Sequence, residues 1–86
     1  MKVAVVADED VALGFRLAGV REVYTDASAI EELLNRADIA VVFIQTHILE
    51  QLDRKIRAEV EKSIKPLFIQ LEGEEELRSL IRMALG

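Results

Sequence analysis

Ile39-Ala40-Val41-Val42-Phe43-Ile44 is a continuous apolar run rich in β-branched and aromatic residues. A run of this length and composition reads as a strand buried on both faces, which occurs in parallel sheets covered by helices. Val3 to Ala7 is a second run of the same kind, and Pro66-Leu67-Phe68-Ile69-Gln70-Leu71 is a third. The only proline stands at the first position of the third run, where a strand tolerates it. Glu22-Val23-Tyr24-Thr25 is a shorter fourth run, expected towards an edge.

Helical patterns separate these runs. Ile30, Leu33, Leu34 and Ala37 fall at i, i+3, i+4, i+7, and Ser28 with Glu31 three residues on forms a capping-box signature. Ile48, Leu52, Ile56 and Val60 recur every four residues, which predicts one helix with Thr46 as its cap. Glu50–Arg54, Asp53–Arg57 and Glu61–Lys65 are then favourable i,i+4 pairs on its wet side. Gly19 is placed to end the first helix, and Gly14 inside that helix points to close packing. The last segment puts Leu77, Leu80, Ile81, Ala84 and Leu85 on one stripe. Arg78 and Arg82 lie four apart on its flank, and Glu74, Glu75 and Glu76 stand at its start, where the helix dipole favours negative charge. The strict alternation of strand and helix predicts an α/β fold, a small doubly wound four-stranded parallel sheet with helices on both faces, plus a C-terminal helix. The expected division is a compact α/β domain at 1–72 and a helical tail at 73–86, with Gly73 as the hinge.

At 86 residues the chain suffices for one domain with a thin core. It is 51% hydrophobic and 31% charged, which excludes disorder. With no Cys, disulfide frameworks and thiolate chemistry are excluded. Eleven Lys and Arg face sixteen Asp and Glu, a net charge of −5, which argues against nucleic-acid binding and against docking to anionic lipid. No apolar run reaches the length of a secretory core or a membrane span, so a cytoplasmic protein is expected.

In an open α/β sheet, ligands bind at the carboxyl ends of the strands. There the first strand ends in Asp8-Glu9-Asp10, an acidic pair that can hold Mg²⁺ and is similar to the site of receiver-like signalling modules. Such a module also needs an acceptor Asp after the third strand and a Lys after the fourth. This chain has Ile44-Gln45-Thr46 and Gln70-Leu71-Glu72 at those places. The simpler reading makes Asp8 or Asp10 a helix cap. Gly14-Phe15-Arg16-Leu17-Ala18-Gly19 matches neither the dinucleotide nor the P-loop glycine pattern. His47, the sole histidine, reads as a surface residue, and Tyr24 and Ser28 as structural ones. No catalytic residue, cofactor or metal is expected, which leaves a non-enzymatic module. For the terminal stripe two readings stand: packing on the chain's own sheet, or lying along a partner helix.

The order of these segments resembles the F subunits of the archaeal-type and vacuolar-type rotary ATPases. The resemblance rests on Lys2-Val3-Ala4-Val5-Val6-Ala7-Asp8, on Gly14-Phe15-Arg16-Leu17-Ala18-Gly19-Val20 as its most specific part, on Ala37-Asp38-Ile39-Ala40-Val41-Val42-Phe43-Ile44, on Pro66-Leu67-Phe68-Ile69 and on Ile81-Arg82-Met83-Ala84-Leu85-Gly86. It covers nearly the whole chain. It implies a non-catalytic component of the central rotor stalk, bound to the coiled-coil D subunit and peripheral to the membrane. It also implies a terminal helix that lies along the coiled coil and influences ATPase activity. Leu77, Arg78, Leu80, Ile81, Arg82 and Ala84 are then the expected partner-binding residues, with Phe15 and Arg16 of the first helix as further candidates. Members of this family usually carry a longer polar stretch before the terminal helix. Here only Glu72-Gly73-Glu74 intervenes, which limits the reach of the tail.

Overall fold

The structure, a computed structural model, describes residues 1–71 and 82–85. Four strands, β1 (Lys2–Val6), β2 (Glu22–Tyr24), β3 (Ile39–Gln45) and β4 (Leu67–Leu71), form one parallel sheet in the order β2-β1-β3-β4. The helices are α1 (Glu9–Leu17), α2 (Ala29–Leu34), α3 (Thr46–Gln51) and α4 (Arg54–Lys62). The chain steps from β1 outward to β2, then reverses to β3 and β4. Right-handed crossovers therefore place α1 on one face and α2 to α4 on the other.

Side-chain alternation divides the core accordingly. Ala4, Val6, Val42 and Ile44 point to the face covered by Ile30 and Leu33 of α2, Ile48 and Leu49 of α3, and Val60 of α4. Val5, Ala7, Val23 and Leu71 point to the other face, where Ala12 and Phe15 of α1 cover them. The register between β1 and β3 slips at Ala40, with Lys2 opposite Ile39 but Val3 opposite Val41. That slip keeps Ile39 on the same side as Val42, where it is fully buried. Each such buried aliphatic side chain contributes about 1.5–3 kcal/mol.

Several local expectations are corrected. The four-residue apolar repeat from Ile48 to Val60 does not form one helix. Leu52 is extended, and α4 starts afresh with Asp53 as its N-cap, whose Oδ1 accepts the Ile56 amide at 2.9 Å. Asp next to the α3 end competes for backbone donors and so restarts the helix. Glu50–Arg54 therefore spans a break and Lys65 lies past the end of α4. The ion pair found along α4 is Arg57–Glu61, at 3.6 Å. Gln45, not Thr46, stands at the N-cap of α3. Likewise Ser28 precedes α2 without making a cap hydrogen bond. Its own amide is held by Asp26 Oδ1 at 2.9 Å, an Asx turn that leads into the helix. Pro66 is buried just before β4 rather than within it. Gly19 follows the α1 C-cap with φ +101°, the left-handed conformation that a helix C′ glycine supplies.

Of the tail, 82–85 is helical and exposed, while Gly73, Leu77, Arg78, Leu80 and Ile81 lie outside the described residues.

Candidate partner-binding surface

The carboxyl ends of β1 and β3 mark the point where the strand order reverses. Gln45, the last residue of β3, is 8% exposed, and its Oε1 accepts the Asp8 amide at 2.6 Å. Asp8 occupies the N-cap position of α1, but its side chain accepts no helix amide. Its Oδ1 lies 2.7 Å from His47 Nε2 in the first turn of α3. Thr46 Oγ1 lies 3.4 Å from Gln70 Oε1, carrying the connection on towards β4. The chain's own side chains thus span the switch point, from β1 through β3 to β4. Asp8 and Asp10 are both exposed, and no group of three or more His, Cys, Asp or Glu suited to a metal exists among the described residues. The Asp8–His47 contact joins residues 39 apart, and no local pattern announces it.

At the opposite, amino-terminal end of the strands lies a charge cluster that sequence reading missed. Arg36 donates Nε and Nη2 to Asp38, at 3.0 and 2.7 Å, and Nη1 to Glu22 at 2.6 Å. Lys2 Nζ stands 3.4 Å from Asp38, and Tyr24 donates to Glu22 at 2.6 Å. The cluster therefore ties together the starts of β1, β2 and β3. Its electrostatics follow from this geometry. The Arg36 guanidinium holds the Asp38 carboxyl well below the usual carboxylate range. Arg36, with help from the Tyr24 hydroxyl, lowers Glu22 as well. The Glu22 carboxylate in turn raises the Tyr24 phenol, since ionising it would lose that hydrogen bond.

The candidate contact residues separate by exposure. Phe15 is 4% exposed and stacks on Phe43 of β3, with ring centroids 6.5 Å apart and an interplanar angle of 16°. It belongs to the core. Arg16 is exposed and reaches the Val23 carbonyl at 3.3 Å, which fastens the end of α1 to β2. The apolar surface that α1 offers to solvent is instead made by Leu13 and Leu17, at 54% and 72% exposure, four residues apart on its outer side. Arg82 and Ala84 of the tail are exposed, together with Met83 and Leu85. The edge strand leaves Leu67 and Ile69 partly exposed, and Ile64 in the turn before it is 86% exposed. Among the described residues no helix is long and apolar enough to cross a membrane.

Comparison with known proteins decides the family. The family model described as ATP synthase (F/14-kDa) subunit matches residues 3–82. The chain belongs to the ATP synthase F subunit family. The A-type ATP synthase F subunit of Archaeoglobus fulgidus is 37% identical over 94 residues, covering 99% of this chain and 93% of that protein. The F subunit of Thermococcus gammatolerans is 37% identical over 103 residues, covering all of this chain and 95% of that one. Both alignments are longer than the 86 residues of this F subunit, so each relative carries residues that this chain lacks. The crystal structure of the V-type ATP synthase F subunit from Archaeoglobus fulgidus superposes with a TM-score of 0.75 at 32% identity. The match covers 83% of this chain and 96% of the other. As a member of this family, the chain is a component of an A-/V-type ATP synthase with a four-stranded parallel α/β body.

Proposed function

We propose that this F subunit is a non-catalytic part of the central rotor stalk. It binds the coiled-coil D subunit and helps couple ATP hydrolysis or synthesis in the catalytic head to ion movement at the membrane. It has no active site of its own and works on the cytoplasmic side, peripheral to the membrane through the complex. The observation that carries this reading is the match to A-type ATP synthase F subunits over 99% to 100% of this chain. The switch point supports it, because the place where this architecture takes small ligands is spanned by Asp8, Gln45 and His47. The partner-facing residues are Leu77, Arg78, Leu80, Ile81, Arg82 and Ala84 of the tail, with Arg16 at the rim of α1.

Co-expression with the D subunit from the same organism, followed by affinity capture and size exclusion, tests the reading. Wild-type protein is expected to co-elute with the D subunit. The Leu80→Asp/Ile81→Asp variant is expected to bind at least about tenfold more weakly, equivalent to ~1.4 kcal/mol. A failure of the wild type to co-elute would refute the stalk assignment. Unchanged binding by the variant would keep the stalk assignment and remove the tail from the interface.

A further inference from the structure

The two faces of the sheet are covered unequally. On one, α2, α3 and α4 bury Ile30, Leu33, Ile48, Leu49 and Val60, and α2 packs against α4. On the other, α1 is the only helix among the described residues that buries side chains, and it contributes just Ala12 and Phe15. Side-chain alternation puts Val3, Leu67 and Ile69 on this same face as Val5 and Leu71, and all three are partly exposed. The cover given by α1 therefore stops short of β4.

Local chemistry does little to hold α1. A free helix of nine residues is shorter than the roughly 12–15 at which helices become even marginal in water. Gly14 stands inside it and lowers its helix propensity further. Asp8 has the extended backbone of an N-cap, with φ −60° and ψ 160°, yet its side chain makes no cap hydrogen bond and lies against His47 instead. What ties α1 down is tertiary. The Asp8 amide donates to Oε1 of the nearly buried Gln45 at 2.6 Å, and Asp8 Oδ1 lies 2.7 Å from His47 Nε2. Phe15 stacks on Phe43, and Arg16 reaches the Val23 carbonyl at the longer distance of 3.3 Å. Three of these four ties end on β3 or on the first turn of α3.

We infer that α1 is a cover that opens over its face of the sheet as a unit, with the Gln45 carboxamide as the catch that holds its amino end shut. Gln45 suits this role because it does not travel with α1: it closes β3 and pairs with Leu71 of β4. Asp8 is the part with two alternatives. Once it leaves His47, its carboxylate is free to accept the first-turn amides of α1, so the helix stays capped when it lifts from the sheet. The opening uncovers Val5, Val23 and Phe43 beside the already exposed Val3, Leu67 and Ile69. A half-covered face becomes a continuous apolar one, and apolar patches of that kind serve association. The core under α2, α3 and α4 is untouched by the motion, which makes the opening a local event well short of unfolding.

The test needs no partner and uses the full-length protein. Amide hydrogen exchange is followed residue by residue by NMR in rising, sub-denaturing urea. The amides of α1 are expected to converge on one shared opening, at least about tenfold more populated than the opening that exposes β1 and β3, and with a weaker urea dependence. Two variants separate the cover from the body. Gln45→Met keeps the length of the side chain and removes the acceptor, so exchange in α1 is expected to quicken by about tenfold. Should that variant not fold, Gln45→Asn, too short to reach Asp8, replaces it. Ile30→Val weakens only the opposite core, where Ile30 is fully buried. It is expected to quicken exchange in β1 and β3 by roughly two- to tenfold and to leave α1 as in the wild type. If α1 amides instead follow those of β1 and β3 in the wild type and in Ile30→Val, α1 leaves only when the whole domain unfolds and the inference falls. Unchanged α1 exchange in the Gln45 variant would equally overturn it, since Gln45 would then hold nothing.

Discussion

Phe15 and Leu17 are two residues apart on one helix, yet they have opposite roles. Phe15 is 4% exposed and packs on Phe43, while Leu17 is 72% exposed. Truncating a buried Phe to Ala costs about 3–5 kcal/mol, the transfer free energy of the ring plus the cavity it leaves. Part of this is the aromatic pair itself, worth ~0.5–1.5 kcal/mol beyond area burial. A domain of this size has roughly 4–13 kcal/mol in total, so Phe15→Ala consumes a large fraction of it. At about 4–8 °C per kcal/mol, the midpoint of thermal unfolding should fall by more than ~12 °C. Phe15→Leu keeps most of the volume and loses the stacking, so a fall of roughly a third as much is expected. Leu17→Ala should move the midpoint by no more than the effect of ~0.5 kcal/mol. Circular dichroism melts of the three variants measure this directly, and capture on the D subunit at a temperature where all three are folded adds the functional readout. If Phe15→Ala melts within a few degrees of the wild type yet fails in capture, the ring is a surface contact and the described packing of α1 is wrong.

Three further perturbations probe the fold. Gly19→Ala places a Cβ where nothing lies within 4 Å, so only its φ of +101° resists. The strain of ~1–2 kcal/mol is partly offset by a stiffer unfolded chain, and a denaturant midpoint shift equivalent to about 1 kcal/mol is expected. Asp53→Ala removes the acceptor for the Ile56 amide and should destabilise by about 0.5–2 kcal/mol in chemical denaturation. Acid unfolding reports on the Arg36 cluster. Asp38 and Glu22 both have lowered folded-state values, so their stabilisation is present above the unfolded carboxylate range near ~4 and is lost as pH falls through the folded values. Arg36→Met should therefore flatten the dependence of the melting midpoint on pH below ~4, and an unchanged slope would show that other carboxylates carry it.

Strand identity, sheet class and the turn at Gly19 were legible in the sequence because each rests on local pattern. Buried parallel strands must be apolar on both faces, and Ile39–Ile44 and Val3–Ala7 are. A helix C′ position needs a positive φ, and Gly19 provides it. What stayed hidden depended on tertiary placement. The repeat of Ile48, Leu52, Ile56 and Val60 is helical in spacing, yet Asp53 offers a cap in mid-pattern, and capping of a new helix outweighs continuity of the old one. The glycine-flanked run around Phe15 was readable as a signature but not as a surface or core assignment. That depended on Phe43, contributed by a strand 28 residues on. The Arg36–Glu22 and Asp8–His47 contacts join residues distant in sequence that only the strand order brings together.

The doubly wound sheet creates one crevice by topology, between β1 and β3, and most uses of this architecture place a ligand there. In this chain the same crevice is crossed by a short hydrogen bond from the Asp8 amide to the Gln45 side chain and by a carboxylate–imidazole contact. Opening it for a small molecule would require breaking both, leaving the nearly buried Gln45 amide to find new partners. The exposed apolar residues lie elsewhere, at Leu13 and Leu17 on α1, at Ile64 and Leu67 beside β4, and at Met83 and Leu85 in the tail. Exposed apolar side chains near basic rims serve association rather than small-molecule chemistry. The two contacts thus close the crevice and tie the carboxyl ends of β1 and β3 together, while the exposed apolar groups lie on the outer surface of the body and on the tail.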